Sequence, residues 1–247
     1  HTRLRRDWSS DVCSSGLMGE KLDGARRGAK AGDARQVVVL LHGYGSDRND
    51  LLGLADTLMP HMPDTVFVAP NAPEKSPANP LGFQWMPVPW LDGSSPQDAA
   101  ASMVSSVALL HAYLDQVLVD EGLSADRMIL FGFSQGTMMA LHVAPRRAAP
   151  VAGVVGFSGT LLDADSLAGE VVSRPPILLL HGDQDTMVPP ESLPLAASAL
   201  RSAAFEVLTH TMKGTAHGIA PDGLGVALKF MRDRLGLEQD AGVTAST

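Results

Sequence analysis

The chain has 247 residues, 45% of them hydrophobic and 19% charged. That length suits one α/β domain, and the composition excludes collagen, coiled coil and wholesale disorder. Lys plus Arg number 19 against 27 Asp plus Glu, a formal charge of -8, so the chain carries no electrostatic footprint for nucleic acid or anionic lipid. The only cysteine, Cys13, can form neither an internal disulfide nor a multi-cysteine metal site. No apolar run approaches the ~20 residues of a membrane helix, so no membrane span is expected.

The chain opens at His1 with a basic stretch that no apolar h-region follows, so it does not read as a secretory signal. A cytoplasmic location is expected. The segment D-W-S-S-D-V-C-S-S from Asp7 resembles the translation of a sequencing adapter, a scar of assembled environmental DNA with the native start at Met18. The alternative is a disordered basic arm. Residues 1–17 are therefore set apart from a single domain over 18–236, and 237–247 read as a polar tail. Gly19 to Arg35 reads as a leader.

Q-V-V-V-L-L, ending at Leu41, is a short β-branched run and predicts a buried strand. Asp50 to Met59 has helical apolar spacing and stops at Pro60. Thr65 to Ala69 predicts a second strand. Residues 70–96 hold 7 of the 17 prolines together with Trp85 and Trp90, and predict a long ordered loop. Ser95-Pro96-Gln97-Asp98 opens a long helix through a cap, an early proline and an acid at the positive dipole end. Met103, Val107, Leu110, Leu114 and Val117 form its stripe, and Gly122 ends it. Strands follow at Met128–Phe133, Val151–Phe157, Ile177–Leu180 and Phe205–His210. Helices are expected at Gln135–Ala144, Pro190–Ala203 and Pro221–Leu235. Strands apolar on both faces, alternating with helices, imply a mostly parallel central sheet covered on each side.

Gly132-Phe133-Ser134-Gln135-Gly136 fits G-x-S-x-G between a buried strand and a helix. A turn that tight strains the serine backbone and raises its hydroxyl at the end of the sheet, near a helix N-terminus that favours developing negative charge. Gly156-Phe157-Ser158-Gly159 also follows a strand but lacks the closing glycine, so Ser158 reads as a strand-end residue. A serine nucleophile needs a base, and the base an orienting acid, in the order Ser, acid, His along such a chain. His181-Gly182-Asp183-Gln184-Asp185 offers two acids. Asp183 is placed to tie the loop through backbone groups, and Asp185 to reach a histidine. His217, between small residues after the last strand, is the expected base, and His210 the rival with a structural reading. In His42-Gly43-Tyr44-Gly45 the glycines turn the backbone so that the Tyr44 N–H, with that of Gln135, would form an oxyanion hole. The spacing of His181, Asp183 and Asp185 matches no zinc motif, and no metal is expected.

These pieces together resemble the phospholipase/carboxylesterase family of α/β-hydrolases, which includes acyl-protein thioesterases and small bacterial esterases. The matching motifs are L-L-H-G-Y-G-S at Leu40, A-P-N-A-P at Ala69, G-F-S-Q-G at Gly132, G-F-S-G at Gly156, H-G-D-Q-D at His181 and A-H-G-I at Ala216. They span Val37 to Phe230. The resemblance implies an α/β-hydrolase fold without a large cap domain, Ser134, Asp185 and His217 as a triad, and Tyr44 and Gln135 at the oxyanion hole. The chain departs from the family at Thr186, where a proline is usual, and at Thr215-Ala216 before His217.

The expected reaction is hydrolysis of short- to medium-chain carboxylic esters through an acyl-serine, with a small-molecule ester as partner and no cofactor, in a monomer or homodimer. Acyl-protein thioesterase or lysophospholipase activity is the alternative, since the same machinery cleaves all three bonds. A non-catalytic binding protein of this fold is a remoter one. Phe83, Trp85, Met86 and Trp90 in the proline-rich loop can wall an apolar acyl site, or anchor the loop to the core.

Overall fold

The computed structural model of the protein describes residues 21–237. The expectations for residues 1–17 and for the tail beyond Leu237 lie outside them. In chain order the elements are β1 (Gly24–Gly28), β2 (Gln36–Leu41), α1 (Arg48–Leu52), α2 (Ala55–Leu58), β3 (Thr65–Pro70), β4 (Glu74–Ser76), β5 (Asn79–Gln84) and α3 (Pro89–Asp92). Then come α4 (Pro96–Glu121), β6 (Met128–Phe133), α5 (Gln135–Val143), β7 (Gly153–Phe157), α6 (Ala164–Glu170), β8 (Ile177–Gly182), α7 (Ser192–Ser202), β9 (Val207–Met212) and α8 (Pro221–Leu235).

Seven strands form one sheet in the order β1-β3-β2-β6-β7-β8-β9. All neighbours are parallel except β1, which runs antiparallel to β3. β1 corrects the leader expected over Gly19 to Arg35. Its sequence, Gly-Ala-Arg-Arg-Gly, carries no apolar signature because an edge strand faces solvent, and its two arginines discourage pairing with another chain. The proline-rich loop likewise contains a hairpin, β4–β5, and the one-turn helix α3.

Alternation along the strands splits the core in two. Val37, Val39 and Leu41 of β2 lie on the side of the sheet whose core also holds Leu110 and Leu114 of α4, Met139 and Leu141 of α5 and Leu200 of α7. Val38 and Leu40 face the other way, into the core that also holds Leu51 of α1, Leu58 of α2 and Phe230 and Met231 of α8. The single helix expected from Asp50 to Met59 is broken at Gly53 into α1 and α2. Helix α6 was not legible in L-L-D-A-D because only Leu167 of it is buried. Gly236, at φ 66°, closes α8, and the Leu237 N–H donates to the Arg232 carbonyl, so Leu237 packs back on the core instead of starting the tail.

Ser95 caps α4 as expected, its hydroxyl accepting from the Asp98 N–H at 3.0 Å. Among the described residues α4 alone is long and apolar enough to cross a membrane by length and composition. Its Leu110 and Leu114 are fully buried against the sheet.

Candidate active site

Ser134 stands where β6 turns directly into α5, at φ 54° and ψ -117°, a strained conformation for a residue with a side chain. The strain is held from both sides. The Ser134 N–H donates to the Phe157 carbonyl at 2.8 Å, and the Thr137 hydroxyl donates to the same carbonyl at 2.8 Å. Gly136 is required by close approach. A Cβ there would lie 1.9 Å from the Leu41 carbonyl oxygen. Helix α5 therefore seats on the end of β2 and presents its N-terminus at the carboxyl ends of the central strands, where sites in such sheets form.

His217 Nε2 lies 3.0 Å from Ser134 Oγ, and His217 Nδ1 lies 2.7 Å from Asp185 Oδ2. A carboxylate only accepts, so Nδ1 carries the proton, and in the neutral ring Nε2 is left to accept from the serine hydroxyl. The Phe133 ring packs on the imidazole with centroids 4.9 Å apart. Asp185 Oδ1 accepts from the N–H groups of Met187 and Val188, each at 2.9 Å. Burial of Asp185 opposes its ionisation. The hydrogen bond from His217 and those from Val188 and Met187 outweigh it, and the pKa sits below the ordinary carboxylate value.

The loops carrying Asp185 and His217 are fastened to each other. Asp183 Oδ1 accepts from the Gly214 N–H at 2.7 Å, and the Gln184 N–H donates to the Thr215 carbonyl at 2.9 Å. A Cβ on Gly182 would sit 2.2 Å from the Thr215 oxygen, so the two loops touch through backbone. Asp183 thus faces the neighbouring loop, and Asp185 the histidine.

Two rivals lie outside this relay. His210 Nε2 is 2.8 Å from Asp222 Oδ2 at the start of α8. Ser158 is fully buried and its hydroxyl meets no partner among the described residues. A serine without a base has nothing to take its proton.

The His42–Gly45 turn lies against Ser134, a Cβ on Gly43 falling 3.3 Å from Ser134 Cβ. His42 is buried, its Nε2 accepting from the Ala72 N–H at 2.9 Å while Nδ1 faces the Gly43 carbonyl at 2.8 Å. Burial lowers its pKa against the smaller opposing pull of that carbonyl and of Asp47 and Asp50, and the ring stays neutral. Among the described residues the N–H groups of Tyr44 and Gln135 donate to no protein acceptor. The Tyr44 hydroxyl donates to Asp92 Oδ2 at 3.3 Å, and α3 is thereby hung on the turn.

The four residues expected to wall an acyl site part company. Trp85 is 0% exposed, so it offers no surface to a ligand, and the wall reading is corrected to an anchor. A ring in a loop sequence does not declare which way it faces. Trp90 is 86% exposed on α3. Met86 is half-buried, and its carbonyl accepts from Gln135 Nε2. Phe83 is half-buried under the Lys75 ammonium and borders a cleft of about 340 Å³ with Asn71, Ala72 and Pro73; Ser134 does not line it. Sequence reasoning missed Phe133 on His217, and it weighed His181 only as a metal ligand. The His181 ring is buried with Nε2 3.3 Å from Asp185 Oδ2 and 2.9 Å from the Val188 carbonyl. Its position in H-G-D-Q-D, four residues before Asp185, was the available signal. Among the described residues no group of three or more His, Cys, Asp or Glu side chains could hold a metal ion.

A mostly parallel sheet with a serine at a strained strand-to-helix turn and a histidine in reach defines an α/β-hydrolase. Residues 25–235 match the phospholipase/carboxylesterase family model, and the chain belongs to that family. It is similar to the crystal structure of esterase PE8, with 39% identity and a TM-score of 0.82, over 87% of this chain and 100% of that one. It is also similar to acyl-protein thioesterase 1 of Kluyveromyces lactis, 32% identical over 68% of this chain and 77% of the relative. Acyl-protein thioesterase 1 of Gibberella zeae is 25% identical over 80% of this chain and 90% of its own length.

Proposed function

We propose that this hydrolase cleaves short- to medium-chain carboxylic esters through an acyl-serine. The carrying observation is the unbroken relay Asp185–His217–Ser134, with spacings of 2.7 and 3.0 Å. His217 Nε2 takes the proton of Ser134 as Oγ attacks the ester carbonyl carbon. The carbonyl π pair moves to oxygen, which receives the N–H groups of Tyr44 and Gln135. His217 then gives its proton to the leaving alkoxide as the C–O bond breaks. Water repeats the sequence on the acyl-enzyme and releases the acid. Asp185 holds the Nδ1–H tautomer and steadies the imidazolium. These steps need no cofactor.

Short acyl chains are favoured because among the described residues no large cap shelters the site and the buried Trp85 cannot line a deep slot. Met86 and Trp90 are left to border a shallow one. A small-molecule ester and a cytoplasmic location, in a monomer or homodimer, complete the reading. Thioester cleavage is the second reading, favoured by the names of the curated relatives. Kinetics on p-nitrophenyl esters of increasing length, beside alkyl thioesters of matched acyl groups, separate the two. The ester reading expects higher kcat/KM on short oxoesters, abolished in Ser134→Ala and retained in Ser158→Ala. A clear preference for long-chain thioesters overturns it.

A further inference from the structure

Trp85 sits between the two segments that present the unpaired N–H groups of Tyr44 and Gln135. Its indole N–H donates to the His42 carbonyl at 3.0 Å, two residues before Tyr44. Its ring packs on the His42 imidazole, centroids 5.8 Å apart. On the other side its backbone N–H donates to Gln135 Oε1 at 2.8 Å, and Gln135 Nε2 donates to the Met86 carbonyl at 2.8 Å. The Ser106 hydroxyl of α4 donates to the Trp85 carbonyl and fixes the strap from behind. All of Trp85 is buried, and Gln135 is 3% exposed.

We infer that Trp85 is a positioning residue whose indole N–H, working with the Gln135 side chain, sets the separation of the Tyr44 and Gln135 N–H groups and so governs turnover rather than substrate binding. The inference rests on the hydrolase reading above. Its physical basis is the narrow tolerance of such a hole. Donors work at about 2.7–3.1 Å from the developing oxyanion, and removing one costs about 10²–10³ in kcat. A misplacement of about 1 Å costs about 10²-fold. The start of helix α5 is fixed by the Ser134 N–H and the Thr137 hydroxyl on the Phe157 carbonyl, and Gly136 packs directly against the Leu41 carbonyl. The turn at 42–45 is held at its far end by the Gly45 N–H on the Phe83 carbonyl at 2.8 Å and by Asn79 Nδ2 on the Gly45 carbonyl at 2.9 Å, and the indole N–H is the side-chain bond on the His42 carbonyl at its near end. Of this frame only Met86 borders the acyl site, and it joins the frame through its backbone carbonyl, so ground-state binding depends little on the indole N–H.

Trp85→Phe keeps a buried ring and removes the N–H. Gln135→Met keeps the backbone donor and removes both side-chain bonds. For each, kcat on p-nitrophenyl acetate is measured per active site titrated with a fluorophosphonate, together with KM, melting temperature and inhibition by a trifluoromethyl ketone. That ketone adds Ser134 Oγ to its carbonyl carbon, passes the serine proton to His217 and places an oxyanion in the hole. The expectation is a kcat loss of about 10–100-fold with KM within about threefold, and a matching loss of ketone affinity. A purely structural role would lower the melting temperature and the titratable fraction while leaving kcat per site and ketone affinity unmoved. That result in both variants overturns the inference, as does a raised KM at unchanged kcat, which would return Trp85 to the substrate wall. If one variant fails to fold, the other decides. A wild-type chain that cleaves neither esters nor thioesters would instead refute the hydrolase reading.

Discussion

Replacing Asp185 by Asn tests the relay with a magnitude that the hydrogen bonds dictate. One carboxylate oxygen takes two backbone N–H groups, from Met187 and Val188. The other faces two ring nitrogens, His217 Nδ1 at 2.7 Å and His181 Nε2 at 3.3 Å. An amide has one acceptor side. Keeping its oxygen on the two backbone donors turns its NH₂ toward His217, which must then present a bare Nδ1. The proton moves to Nε2, where it points at Ser134 and blocks proton removal. This tautomer change costs about 10⁴ in kcat, or about 5.5 kcal/mol of transition-state stabilisation. His181 meets the same NH₂. Its Nε2 bears a hydrogen, because both the Val188 carbonyl and the carboxylate only accept. Donor against donor in a buried site costs about 1–3 kcal/mol, a melting-temperature drop of roughly 2–12 °C for a domain of this size. Flipping the amide strands two backbone donors instead, so no orientation escapes. Asp183→Asn keeps an acceptor for Gly214 and loses mainly the exposed 3.5 Å pair with Lys213. Its turnover should stay within about threefold of wild type, as that pair is worth little. Turnover on p-nitrophenyl acetate and thermal melting of both variants check this. An Asp185→Asn enzyme within about tenfold of wild type, or equal losses in both variants, refutes the assignment of the acid.

Three further outcomes are expected. Gly136→Ala places a methyl 1.9 Å from the Leu41 carbonyl, a backbone atom that cannot yield, so the variant should lose soluble expression or all activity; a folded, active variant would deny the tight elbow. His42, His111 and His142 all have pKa values lowered chiefly by burial, with Arg147 reinforcing it at His111 and Arg146 at His142. Below about pH 6.5 the unfolded chain therefore binds more protons than the folded one, so this stability is complete above that pH and is lost as pH falls through the folded values; a melting temperature that is flat from about pH 7 to 5 would contradict it. Trp90→Ala should shift the ester chain-length profile while Phe83→Ala, beside a separate cleft, should not; the reverse would relocate the acyl site.

The parts of this molecule that the sequence made legible share one physical property. Buried parallel strands must be apolar on both faces, so Q-V-V-V-L-L, M-I-L-F-G-F and I-L-L-L stand out as unbroken runs. A strand-to-helix turn at G-F-S-Q-G needs its glycines, and that need is visible as residues. What escaped lacks such a requirement. β1 is an exposed arginine-bearing edge, β4 and β5 sit in a proline-rich stretch, and α6 buries a single leucine. Trp85 was legible as an aromatic in a loop above the sheet, but its direction depends on hydrogen bonds to His42, Gln135 and Ser106, which are 43, 50 and 21 residues away in sequence. No local pattern encodes contacts of that range. For the same reason Phe133 gained its role only when the distant loop bearing His217 came onto it, whereas His181, four residues before Asp185, lay within local reach.

Ser134 as the nucleophile is tested most directly by intact-mass analysis after treatment with a fluorophosphonate. The probe phosphorus bonds to serine Oγ as fluoride leaves. The wild-type chain should gain one adduct, mapped by peptide sequencing to Ser134. Ser158→Ala should gain the same adduct, and Ser134→Ala none. An adduct on another residue, or labelling that survives Ser134→Ala, would contradict the relay of Ser134, His217 and Asp185.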